Sequence, residues 1–249
     1  MGTRSFISIF KTNAFKIVLM LGLFLTSTVI ILAIFLGQES GLFVVRVQNT
    51  DLEKTIALCE KIEDGVYYPK LVAEGRSNMT DTSPEYFIEN DYRTIKEYYN
   101  GEREAVVSDE NGNSLYLYRF YVVNTGTSGV GVTASMDYNN VTNHLDEVIR
   151  IMTYYEISGV QHANIYQKAD EVSYDYKHYD AEGLKLHTFK SNSVIFDDQT
   201  VTIDSQEGNN YFKVMLLVWI EGQDPDSDKY GKLLYNGTMN FSMSFKVTM

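Results

Sequence analysis

Beyond residue 38, apolar side chains recur at every second position, the spacing of a strand with one buried face and not of a helix. Met239, Phe241, Met243, Phe245 and Val247 lie on one side of residues 238–247, and Thr238, Asn240, Ser242, Ser244 and Lys246 on the other. In residues 130–138, Val130, Val132, Ala134, Met136 and Tyr138 oppose Gly131, Thr133, Ser135 and Asp137. Two longer runs are apolar on both faces, which predicts central strands. In residues 211–220, Phe212, Val214, Leu216, Val218 and Ile220 oppose Met215, Leu217 and Trp219; in residues 115–123 only Arg119 interrupts. Shorter strands are expected at residues 42–48, 193–196 and 200–204, with turns at Thr125-Gly126-Thr127 and Gly208-Asn209-Asn210. Helix is expected twice: over residues 141–150, capped by Asn140 or Thr142, and over residues 84–99. Residues 156–192 break the alternation and read as an irregular excursion, whose Tyr-, Asp- and His-rich part is residues 166–180. The fold class is therefore mainly β, a sandwich.

Ahead of that domain, residues 17–36 carry no charged side chain. At about 1.5 Å per residue, such a helix spans roughly 30 Å, the hydrocarbon thickness of a bilayer. Arg4, Lys11 and Lys16 precede the run, and no acid does, so the positive-inside bias keeps the N-terminus cytoplasmic. The run is longer than the hydrophobic part of an export signal, and Ile34-Phe35-Leu36-Gly37-Gln38 offers no small-x-small cleavage pair. The expected organisation is a basic tail over residues 1–16, a transmembrane helix over 17–37 and an extracytoplasmic β-sandwich over 38–249. The helix makes the lipid bilayer one partner.

Charge and cysteine content narrow the other partners. The chain has 21 Lys+Arg against 33 Asp+Glu, and all of the acids follow the apolar run. A surface that acidic disfavours nucleic acid and anionic lipid headgroups. Cys59 is the single cysteine, so no intrachain disulfide forms, which suits a bacterial exterior better than a eukaryotic secretory route.

Motifs for chemistry are sparse. His144, His162, His178 and His187 lack the short spacings of metal sites. No G-x-S-x-G elbow or phosphate-binding loop occurs. The carboxylate pairs Asp146-Glu147 and Asp197-Asp198 read as solvated. Asp224, Asp226 and Asp228 alternate as calcium ligands would, but an EF-hand loop needs Gly where Lys229 stands and Glu where Tyr235 stands. Those three aspartates are the candidate metal ligands, and no other cofactor is expected.

Two stretches resemble a family. Arg119-Phe-Tyr-Val-Val-Asn124-Thr-Gly126, with the strand after it and Val141 to Arg150, is one; Leu217-Val-Trp219-Ile-Glu221-Gly222-Gln-Asp224-Pro225-Asp226, with the closing strand, is the other. Both are similar to exported Firmicutes surface β-sandwich proteins related to TasA and camelysin. The resemblance implies an Ig-like or jelly-roll sandwich on a Gram-positive-type surface, sometimes a subunit of extracellular fibres. Trp219, Glu221 and Asp224 match as fold determinants, and no functional residue carries over. The retained leader departs from the family's usual cleaved signal, and the absence of a metal-binding motif departs from a camelysin-type protease.

The expected function is a membrane-anchored surface module that binds protein or polymer, or assembles with itself through strand edges, without catalysis. The alternatives are a fibre subunit released by signal cleavage and a membrane-bound hydrolase using acids of residues 156–192 and near Asp224.

Overall fold

The computed structural model describes residues 43–49, 55–76, 79–82, 93–102, 114–157, 159–169, 184–206, 210–222 and 237–248, and singly Lys16, Met20, Gly22, Asp224 and Asp226. The chain divides into two units, Met1–Glu39 and Ser40–Met249. In the first, Lys16, Met20 and Gly22 are helical, and Met20 is exposed. The rest of the expected membrane segment lies outside the described residues, among which no helix is long and apolar enough to cross a membrane.

The second unit is a two-sheet, sandwich-like fold. Strands β1 (Phe43–Gln48), β3 (Lys70–Ala73), β6 (Val130–Asn139), β10 (Val194–Ile203) and β12 (Asn240–Thr248) form a five-stranded sheet in the order β10-β6-β12-β1-β3. The other sheet runs β2 (Ile56–Cys59), β5 (Tyr116–Asn124), β11 (Tyr211–Glu221), β7 (Ile149–Ile157), β8 (Val160–Gln167) and β9 (Lys185–Thr188). Its seventh strand, β4 (Asp81–Thr82), adds parallel to the end of β11. Most pairings are antiparallel, but β1 and β12 run parallel, from Phe43↔Phe241 to Gln48↔Lys246.

The alternation read from residues 130–138 and 238–247 is what the five-stranded sheet uses. Val130, Val132, Ala134, Met136 and Tyr138 enter the core with Met243, Phe245 and Val247, while Lys246 stays in water. Phe245 meets Phe120 at 5.9 Å and Phe212 at 6.3 Å between ring centroids, both near edge-to-face, so aromatic packing joins the sheets. In the other sheet, β11 is central between β5 and β7 and is buried on both sides. Phe212, Val214, Leu216 and Val218 face the sandwich; Met215, Leu217 and Trp219 face a second core beneath helix α1 (Arg93–Asn100). Ile95, Tyr98 and Tyr99, spaced three and four apart, are the helix stripe that covers it. Gly101, at φ 85°, ends α1, its N–H donating to the Glu97 carbonyl at 3.1 Å.

Three expectations change. The helix expected over residues 141–150 shrinks to α2 (Leu145–Val148). Asn140, Asn143 and His144 all have positive φ, so the chain bends before α2, and His144 at its start makes no side-chain cap. The Thr142 hydroxyl pairs instead with that of Thr238 at 3.0 Å. Ile149 and Arg150 already belong to β7, where β-branched and aromatic residues pair with β8 and β11. The expected excursion over residues 156–192 contains β8, β9 and the end of β7; residues 170–183 lie outside the described residues. Residues 193–196 and 200–204 form one strand, β10, whose pairing with β6 slips on either side of Phe196. Asp197 stands in that irregular stretch, ion-paired with Lys190. Such an interruption blunts a strand at the margin of a sheet.

Candidate functional site

Two of the three calcium candidates, Asp224 and Asp226, follow the end of β11, where the outer face of the seven-stranded sheet is charged and buried. Arg150 on β7 lies directly across from Trp219. Its guanidinium, fully enclosed, donates through Nη2 to Asp224 Oδ2 at 2.5 Å and through Nη1 to its neighbour's carbonyl, that of Ile149, at 3.2 Å. Asp224 Oδ1 accepts the N–H of Asp226 at 2.8 Å, and Glu221 accepts the Trp219 indole N–H at 3.3 Å. Both acids are about as buried as the core, at 2 % and 1 % exposure. Gly222 separates them because a Cβ there would stand 2.5 Å from the Asp81 carboxylate.

Both Asp224 oxygens are therefore engaged, one by a cation and one by backbone. Asp228 lies outside the described residues, among which no three His, Cys, Asp or Glu side chains converge as a metal site would need. What this arrangement does chemically is neutralise an arginine inside apolar surroundings, which costs stability unless charge and hydrogen bonds are matched. Arg150 is the partner that sequence reasoning missed, having placed it at the end of a helix. The available signal was its setting, Val148-Ile149-Arg150-Ile151-Met152, where a charge with two apolar neighbours on each side must be buried and paired.

A second ion cluster corrects the reading of Asp146-Glu147 as a solvated pair. Asp146 is 9 % exposed, and Lys168, just after β8, donates to Asp146 at 2.5 Å and Glu147 at 2.7 Å. Burial alone would lower the Lys168 pKa, but the hydrogen bonds to both carboxylates outweigh it and hold the ammonium above the ordinary lysine range. Lys168→Met should destabilise the protein by about 1–2 kcal/mol near neutral pH. The folded-state pKa exceeds the ordinary value of 10.5, so this contribution is complete below that pH and disappears as pH rises through the folded value. Urea unfolding of wild type and variant should show a constant gap from neutral pH to 10.5 and a shrinking one above it.

The histidines do not gather. His162 stacks on Tyr155 at 4.7 Å; His187 stacks on Tyr166 at 5.3 Å and bonds Asn164 at 3.2 Å. His144 occupies the bend before α2, and His178 lies outside the described residues. Cys59 is buried, and burial, reinforced by Glu63 and Asp64, pushes its thiol up to about 11, so it stays protonated at neutral pH. Between the sheets, an apolar cleft lined by Val132, Tyr155, Phe196, Gln199 and Phe212 has free space of about 10 Å³, room for no more than about one water. No protein-family model and no curated protein matches this chain.

Proposed function

We propose that this is a single-pass membrane protein with a cytoplasmic N-terminus, a helix over residues 17–37 and an Ig-like or jelly-roll β-sandwich displayed outside the cytoplasm. Its work is binding or structural, without catalysis, toward other surface proteins, a surface polymer or further copies of itself. The observation that carries this reading is the joining, in one chain, of an uncharged run with a basic flank to a strand-built, acid-rich head. Support also comes from the buried charges. Arg150, Asp224 and Glu221 are committed to one another's neighbourhood and to Trp219, as groups that hold a scaffold are. The outer strand β3 of the five-stranded sheet, where β10 at the other margin is blunted, is the edge at which another strand could add.

Fractionation combined with protease treatment of intact cells tests the placement. The protein should sediment with membranes, resist extraction by alkaline carbonate, and lose its head to protease added outside. Recovery of the intact chain in the soluble cytosol, or a head protected in intact cells and cut only after lysis, refutes it. N-terminal sequencing separates the anchored form from a fibre subunit released by cleavage near residues 37–41.

A further inference from the structure

We infer that the outer face of the seven-stranded sheet binds a ligand presenting a single carboxylate beside an apolar-faced ring, a sugar acid by class, with Lys213 as the anchor. The inference rests on the binding reading above and gives it a ligand chemistry. Lys213 on β11 sits across from Tyr121 on β5, with its ammonium 5.0 Å from the Tyr99 ring centre and 5.8 Å from that of Tyr121. Tyr211, two residues back on the same face and 36 % exposed, meets the Tyr121 ring edge-on at 5.7 Å. Arg119, one pair further along the same strands, donates to the Tyr98 carbonyl at 2.7 Å, fixing a second cation beside the first.

This pairing of cations stands out in a chain of net charge −12. Lys213 makes no ion pair among the described residues. Of the acids on this side, Glu156 accepts the Tyr154 hydroxyl at 2.9 Å, and Glu63 acts on Lys213 only as a more distant charge. Burial first, and Arg119 second, push the Lys213 pKa below the usual lysine value, while Glu63 pulls the other way. The ammonium is thus partly stripped of water beside a like charge, with two ring faces to soften the loss. A ligand carboxylate would supply a counter-charge that no described residue gives Lys213 directly, and the exposed Tyr211 ring would cover the apolar side of a sugar ring. The acidic remainder of the surface repels a polyanion, which selects for one charge over many.

The test uses the full chain in detergent micelles, with lysines reductively methylated with ¹³C for detection and glucuronate, glucose and a uronic-acid polymer as probes. Glucuronate should bind saturably with a Kd on the order of 1 mM and raise the Lys213 pKa. Glucose should bind at least about tenfold more weakly, as should glucuronate to Lys213→Gln, while Lys213→Arg retains most of the affinity. Tyr211→Ala, at an exposed position that leaves the fold intact, should weaken glucuronate by about fivefold and carries the test should Lys213→Gln not fold. Absence of saturable glucuronate binding, equal binding of glucose, unchanged affinity in a folded Lys213→Gln or Tyr211→Ala, or tighter binding of the polymer per uronate would overturn the proposal. Micelle binding does not depend on which side of a membrane the head occupies, so its failure and a failed fractionation result are separately readable.

Discussion

Asp224→Ala is expected to cost about 3–5 kcal/mol of unfolding free energy, because it strands the Arg150 guanidinium in a fully buried site. For a unit of this size that corresponds to a melting temperature lower by about 10 °C. The companion variant Arg150→Met/Asp224→Leu removes both charges and fills their space, so it should recover most of the loss. Urea unfolding followed by the single tryptophan reads the site directly, since Trp219 lies across from Arg150. A single-variant cost under about 1 kcal/mol would mean that the guanidinium finds water and that the pair is not the lock described.

Phe245→Ala should be comparably severe, about 3–5 kcal/mol, since the side chain is 1 % exposed and touches rings from the opposite sheet. Its neighbour provides the control. Lys246 lies on the wet face of the same strand, and Lys246→Ala should change stability by no more than about 0.5 kcal/mol. Phe245→Leu, which keeps much of the apolar volume but loses ring contacts, should fall between. Equal effects at positions 245 and 246 would contradict the face assignment of β12.

The alternating strands were legible in the sequence because a side chain's face follows from its parity alone; β6 and β12 needed no knowledge of their partners. The two-sided burial of β11 was equally plain, since Met215, Leu217 and Trp219 have nowhere wet to go. Strand β7 was missed for a different reason. Leu145, Val148 and Ile149 satisfy a helical stripe locally, and only the pairing of residues 149–157 with β8 and β11 decides against it. The short strands β2, β3 and β4 carry too few residues to show a period. At the charge cluster, Trp219, Glu221 and Asp224 were picked out from one stretch of sequence. Arg150, their counterpart 74 residues from Asp224, could be joined to them only by the sheet. The Lys213 cluster was hidden likewise, because its rings come from α1, β5 and β11.

The parallel partnership of β1 with β12 sets a timetable for biogenesis. Phe43 leaves the ribosome almost two hundred residues ahead of Phe241, its partner. Until β12 arrives, β1 has only the short β3 beside it, and β6 lacks the strand that joins it to β1. The five-stranded layer is therefore completed only once β12 has been made, slowly and through long-range closure, as loop entropy dictates. Ribosome-bound chains stopped before residue 240 would leave one hydrogen-bonding edge of β6 unpaired, and such nascent forms are the ones a chaperone has to shield.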